Sequence, residues 1–464
     1  MPYSWDTAKM GGMKVLVIGS GGREHAISWT LSKSPSVTEI LCVPGNGGTS
    51  LEDKCRNVDP SSNPNTQRMS FEDACVAIAL DEKCDMAVVG PEEPLANGIA
   101  DHLWNAGIPV VGPKSQGAAL EASKDLAKKF MEKHGVACGA SKTFTSEVEA
   151  RNYVQKQGAP VVVKADGLAA GKGVVVAARE SEAIDAIHRF MNQKSLGQAG
   201  TKLVLEEYLQ GTEISILAAV SVTPQLAREG RATIVPFVTA RDHKRLLDGA
   251  RGPNTGGMGA IAPVPDVTPE QLEAFDKTIL QPTLKGMIAE GMDYRGFIFF
   301  GIMLTPQGPK LLEYNVRLGD PETQAVLPLM DFDFAEMCKA IAEGTLQDFN
   351  FQWKQGFVCA PVAVSGGYPE SYKKGMKISL PNKTAEGSKI FIAGATINRR
   401  NLLPNQTAKD LITNGGRVLA ASAYGSTFQE AWDAAYSMMK QVHFDGIFYR
   451  QDIGLPGAAE SGNL

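Results

Sequence analysis

Residues 309–324 read PKLLEYNVRLGDPETQ, and the fold follows from how that stretch alternates. In an extended chain, successive side chains point to opposite faces. Glu313, Asn315 and Arg317 then share one face, with Leu312, Tyr314 and Val316 on the other. One side packs on a core; the other sets a carboxylate, an amide oxygen and a guanidinium in a row. Hard oxygen ligands suit Mg²⁺, which is held by one or two carboxylates together with phosphate oxygens. A neighbouring arginine forks onto phosphate. The Leu-Gly-Asp-Pro-Glu break that follows aims the carboxylates of Asp320 and Glu322 at the same end. Taken alone, the commoner reading is a half-exposed strand with ordinary polar residues outside. Upstream, RGFIFFGIML at 295–304 is a strand that TPQG turns into this one as a hairpin.

The chain has 464 residues, enough for two to four domains. Formal net charge is −5 with no Lys/Arg-rich run, which suggests neither a nucleic-acid nor an acidic-membrane surface. Seven cysteines, an odd number with no CxxC pair, fit reduced thiols in a cytoplasmic protein. No apolar run approaches the roughly 20 residues of a membrane span. Residues 1–12 are polar and lack a signal-peptide core, and read as an N-terminal extension.

Residues 14–18 (KVLVI) have the continuous apolar character of a buried parallel strand and run into Gly19-Ser-Gly-Gly-Arg-Glu-His25. A strand–glycine turn–helix unit presents backbone N–H groups as an anion site. A dinucleotide fingerprint needs glycine where Glu24 stands, so the loop is a phosphate cradle or a ligand-free tight turn rather than an NAD site. Further strands at 39–43, 86–89 and 109–111 each end in a Gly/Pro loop. Such loops gather at the carboxyl edge of a parallel sheet, so Gly19, Gly21, Gly22, Arg23, Asn46 and Glu92 can line one crevice. Residues 118–134 read as one helix bearing Lys124, by itself an ordinary solvated lysine.

PVVVKADGLAAGKGVVVA at 160–177 is a hairpin whose Gly/Ala tip can close over phosphates, with Gly167, Gly171 and Gly173 for pliancy and Lys164 and Lys172 for charge. It lacks the spacing of a Walker loop. A strand ending at Glu206 leads to Glu207, Tyr208 and Leu209, whose backbone can read an adenine edge, and to Glu213, which can accept from ribose hydroxyls; an ordinary loop reads equally well. In residues 240–263, Asp242 and Lys244, with Thr255, Gly256, Gly257 and Met258, can contact a zwitterionic substrate through side chains and main chain. Beyond Trp353, short strands and a helix at 427–442 make a small α+β region whose glycine turns carry little functional signal.

These stretches together resemble the phosphoribosylamine–glycine ligase family, ATP-grasp enzymes of purine synthesis. The matching segments are IGSGGREHA, VPGNGG, VGPEEPL, VVKADGLAAGKGV, EEYLQGTE, RDHKR, GPNTGGMGA, EYNVRLGDPETQ, NGGRVL and YRQDIG, which run from residue 14 to 454 in the family's order. The resemblance implies an α/β fold with a parallel-sheet domain at 13–117 and an ATP-grasp core of two α+β subdomains, 118–200 with a mobile Gly-rich loop and 201–345. A C-terminal α+β domain at 346–464 completes it. It implies ligation of glycine to 5-phosphoribosylamine through glycyl phosphate, with ATP and Mg²⁺ or Mn²⁺. Glu313 and Asn315 would hold the metal, with Arg317 and Lys164 stabilising the phosphoryl group. Lys124 would touch phosphate, Asp320 and Asp242 would orient the glycine ammonium, and the Gly19–Arg23 and Asn46 loops would hold phosphoribosylamine. Expected partners are these small molecules alone, without nucleic acid or membrane, acting on a monomer or weak dimer in the cytoplasm. A sister ligase of the same superfamily, a non-catalytic nucleotide-binding module and an NAD enzyme are the competing readings. RDHKR and NTGGMGA, the intact Glu313, Asn315, Arg317 and loop lysines, and Glu24 argue against them in turn.

Overall fold

The computed structural model describes residues 12–62, 64–168, 173–193, 195–398 and 410–458. Almost all of the expected N-terminal extension, and Gly171 and Lys172 of the hairpin tip, lie outside them. The fold is α/β and is organised by three large sheets.

The first is parallel, in the order Cys55–Asn57, Val37–Pro44, Met13–Gly19, Met86–Val89, Val110–Val111. Its central strands are covered on both faces, which is why they read as unbroken apolar runs. Strand order reverses beside Met13–Gly19, so the loops after Met13–Gly19 and Met86–Val89 flank a crevice.

The second is antiparallel, in the order Ser141–Phe144, Leu203–Glu207, Val161–Ala165, Val174–Ala177. Helices Glu147–Gln157 and Glu180–Met191 complete a core of its own around Val163, Ala165, Phe190 and Leu205. Strand alternation sends Val161, Val163 and Ala165 into that core and leaves Val162 and Lys164 facing outward on the other side.

The third is an antiparallel sheet of eight strands. It begins with Gly308–Asn315, Tyr294–Thr305, Thr212–Val222, Thr233–Asp242 and Gly259–Ala262, and continues without a gap into Phe357–Val364, Arg417–Gly425 and Ser388–Ile392. The C-terminal α+β region is thus hydrogen-bonded onto the large sheet, and this carries its residues to the functional cavity.

Two sequence expectations need correction here. Gly301 pairs with Glu313 but Ile302 with Leu311, so Leu312 is the extra residue of a β-bulge. Leu311, not Leu312, enters the core beside Tyr314, and Leu312 turns to the cavity side with Glu313. The helix read at 118–134 is two, Ser115–Ala122 and Lys124–His134. Ser123 breaks it in an extended conformation and caps the second helix by accepting from the Leu126 amide at 3.2 Å.

Candidate active site

The second and third sheets and the crevice of the first enclose one cavity of about 980 Å³. Its halves differ in chemistry and meet at Gly308–Asn315.

On one side, Val162, Val174 and Val176 make an apolar wall with Leu209 and Met303. Beside it, Glu206 anchors two lysines through its two oxygens, Lys164 at 3.0 Å and Lys128 at 2.9 Å. Burial opposes the charge of Lys164, but Glu206 and Glu313 outweigh it and hold the ammonium above the ordinary lysine range. Lys164 also donates to the Leu312 carbonyl at 3.4 Å, a contact the bulge creates. Breaking the helix at Ser123 places Lys124 on the first turn after the cap, where its ammonium donates to the Gly167 carbonyl at 3.0 Å. Asp166 ties the hairpin to that helix by accepting from the Ser123 hydroxyl and the Asp125 amide. Glu207 is fixed by a pair of bonds, its amide donating to the Ala140 carbonyl and its carboxylate accepting from the Ala140 amide, and it lines the wall with Tyr208 and Leu209.

At the seam, Glu313 and Asn315 both face the cavity, as the alternation predicts. Burial raises the Glu313 carboxyl, but Lys164, Lys244, Lys124 and Arg317 outweigh it and keep it below the usual range. No donor among the described residues bonds to that carboxylate. Arg317 donates to Asn315 Oδ1 at 3.1 Å, to Glu92 at 3.2 Å and to the Leu318 carbonyl at 3.4 Å, and pairs with the buried Glu121 at 3.0 Å. The sequence expectation of a free fork is therefore modified: most of its five N–H donors are committed to protein oxygens.

The other half is built from loops. Lys244 pairs with Glu213, so the residue expected at ribose and the one expected at substrate form one ion pair. Asp242 Oδ1 is buried without a hydrogen-bond partner among the described residues, and burial together with Glu322 raises its carboxyl well above the usual range. Asp320 accepts from Gln324 at 2.8 Å; burial opposes its charge, but Arg417 and Arg23 lower it below the usual range. Thr255 and Gly256 line the cavity. Met258 does not: it is fully buried, with its amide donating to the His243 carbonyl, and belongs to the core. Gly257 has φ +114 and packs where a Cβ would meet Pro321 and Asp242, so it serves close approach instead of contact.

The first glycine loop departs further from expectation. Arg23 and Glu92 line the cavity, but Gly19, Gly21, Gly22 and Asn46 do not. Glu24 folds back on its own loop and accepts from the Gly21 amide, filling the helix N-terminus with a carboxylate of the chain itself. Asn46 donates to the carbonyls of Ser20, Gly21 and Ile392 at 2.9–3.0 Å, a staple between two sheets.

Sequence reasoning missed Glu121, Lys128, Tyr368 and Arg417. Arg417 stands at the start of a strand far along the chain, yet donates to the Asp320 carbonyl at 2.7 Å and to the Gly256 carbonyl. Tyr368 accepts from the Gly256 amide at 2.9 Å. In the sequence Arg417 stands out only as part of the NGGRVL segment of the resemblance, where the Gly415-Gly416 turn before it gave it no role.

Three family models match the chain in succession: the N domain of phosphoribosylglycinamide synthetase over residues 13–121, its ATP-grasp (A) domain over 122–323, and its C domain over 358–456. The phosphoribosylamine–glycine ligase of Clostridium acetobutylicum is 46% identical over 442 residues, 95% of this chain and 99% of that one. That of Vibrio parahaemolyticus is 43% identical over 446 residues, covering 95% and 98%. Among solved structures, the phosphoribosylamine–glycine ligase of Thermotoga maritima superposes with a TM-score of 0.77 at 33% identity, covering 95% of this chain and all of that one. A biotin carboxylase domain from Hydrogenobacter thermophilus, solved with ADP and magnesium, gives 0.69 at 17% identity over 94% and 91%, a likeness of fold.

Proposed function

We infer the roles in this cavity from one premise: the chain belongs to the phosphoribosylglycinamide synthetase family. It is an ATP-dependent carbon–nitrogen ligase that joins glycine to 5-phosphoribosylamine in purine biosynthesis. The observation that carries the assignment of roles is the single cavity whose lysine-rich half and loop-built half meet at Glu313 and Asn315.

A glycine carboxylate is a poor acyl donor, so it first takes the γ-phosphoryl group of ATP to become glycyl phosphate; the sugar amine then attacks and phosphate leaves. Phosphoryl transfer is governed by positioning and charge stabilisation, and needs no protein nucleophile. Val162, Val176 and Leu209 take the adenine, with the main chain at Tyr208 and Leu209 reading its edge. Lys164, held charged by Glu206, meets the phosphates together with Lys124 and Lys128. Glu313 and Asn315 suit a divalent metal, Mg²⁺ by their hard oxygens: one unbonded carboxylate and one amide oxygen are the share that ion takes when phosphate and water supply the rest. Such an ion would neutralise phosphate charge. Among the described residues no cluster of three or more acidic, histidine or cysteine side chains competes as a metal site. Arg317 fixes Asn315 and adds positive charge.

Glycine's ammonium lies between Asp242, whose Oδ1 has no other partner, and Asp320. Arg23, Glu92 and Arg417 surround phosphoribosylamine; the first glycine loop shapes that wall without touching the ligand. Gly167, Leu168 and Gly173 line the cavity and help to keep water from the acyl phosphate. A monomer or weak dimer in the cytoplasm is the expected form, and free cysteines suit that compartment. No helix among the described residues is long and apolar enough to cross a membrane. The test is coupled ADP release with glycine and phosphoribosylamine each omitted in turn. Turnover is expected only with both present; release independent of both sinks the reading.

A further inference from the structure

We propose that residues 450–458 are a positioning latch for the substrate loop at 242–256, with Arg450 as its anchor. Arg450 is fully buried, which for a guanidinium demands partners on every side. It forks onto Asp452, Nε to Oδ1 at 2.7 Å and Nη2 to Oδ2 at 2.8 Å, and donates to the Ala458 carbonyl at 2.8 Å. Its remaining arm crosses to the loop and donates to the Arg245 carbonyl at 3.1 Å. Three more bonds make the same crossing. The Gly249 amide donates to Asp452 at 2.7 Å, the Gln451 amide to Asp248 at 2.8 Å, and the Gly454 amide to His243 Nε2 at 3.0 Å.

The loop needs such a tie. Its tip is a two-stranded hairpin, Arg245–Leu247 against Arg251–Asn254, and the second strand is exposed throughout. An isolated ribbon of this size is marginal in water. Yet the segment carries Asp242, Lys244, Asn254, Thr255 and Gly256 to the cavity wall, and Gly457 of the latch reaches the same wall. The groups assigned to the nucleotide come from other strands. The latch therefore sets the geometry offered to glycine and phosphoribosylamine and leaves ATP unaffected, which rests on the assignment of that half of the cavity given above.

The experiment uses the full chain and two substitutions. Arg450→Lys keeps the buried charge and loses the fork; Asp248→Ala removes one crossing bond from the surface, so it folds even if the first does not. The readouts are KM for each of the three substrates and the rate of tryptic cleavage at Arg251. Arg450→Lys should raise KM for glycine and phosphoribosylamine about tenfold, and Asp248→Ala about threefold, as expected for one or two lost hydrogen bonds. KM for ATP should hold and cleavage should quicken in both. Unchanged cleavage overturns the latch while leaving the substrate assignment intact. Faster cleavage with every KM unchanged overturns the positioning role. Faster cleavage with a rise confined to ATP overturns the assignment of this loop to glycine and phosphoribosylamine, and the role with it.

Discussion

The two halves of the cavity are built on opposite principles. The nucleotide side rests on a small sheet with its own core, whose cavity-facing residues follow from strand alternation within 161–177 and 203–207. The substrate side has no core of its own beyond a small exposed hairpin. It is loops from the first and third sheets, drawn together by contacts such as Arg417 to Asp320, Tyr368 to Gly256 and Arg450 to Arg245. A half that carries its own core can move as a body over a ligand; a half pinned from several directions holds a fixed shape.

The seam gives the severest test. Glu313→Ala should lower kcat by about 10³-fold or more, since it removes charge stabilisation aimed at the transferring group. Melting temperature should stay put, because the side chain faces the cavity and not the core. Steady-state ADP release beside a thermal melt decides it; a destabilised but active variant would make the seam architectural.

The next probe separates the halves. Arg417→Gln leaves the carbonyls of Asp320 and Gly256 short of a donor, a loss of about 1–3 kcal/mol. It should cut kcat/KM for phosphoribosylamine by roughly 10–100-fold with KM for ATP unchanged. Varying each substrate in turn reads this directly, and an equal effect on ATP would erase the distinction between the halves.

The mildest effect is one of pH. Burial, with Arg450 adjacent, pushes His243 down from 6.5 to about 3. Arg241 and Asp452 also face it, and its Nε2 accepts from the Gly454 amide, which requires the neutral ring. Below its ordinary value the unfolded chain binds this proton and the folded chain does not. Stability is thus complete above about pH 6.5 and falls as pH drops toward 3, by at most roughly 1.4 kcal/mol per pH unit. His243→Gln should flatten that decline. Melting curves of both proteins between pH 7.5 and 5 are the comparison; parallel curves would show that the substrate floor is no more acid-sensitive than the rest.

What was legible follows the same division. Alternation put Glu313 and Asn315 on the cavity-facing side because a strand's facing is a local property. It misplaced Leu312 because a bulge is decided by the partner strand, here Tyr294–Thr305. The glycines at 19–22 looked like an anion cradle, but whether a helix N-terminus is open depends on a side chain folding back, as Glu24 does. Met258 looked like a contact because its neighbours are polar, and only tertiary packing puts it in the core. Arg417 and Tyr368 were out of reach: nothing local links residue 417 to residue 320.

The unbroken eight-stranded sheet also bears on how the chain is made. Gly259–Ala262 is joined on one edge by Thr233–Asp242, which precedes it, and on the other by Phe357–Val364, which follows much later. At synthesis rates of roughly 5–20 residues per second, several seconds separate the strand from its second neighbour. The parallel sheet and the four-stranded sheet have all their strands by then. Any large sheet assembled during that interval ends in a row of unsatisfied N–H and C=O groups, the kind of edge that recruits other chains. Phe357–Val364 therefore closes an edge of the middle of the molecule, in addition to the part its region plays in the wall of the cavity.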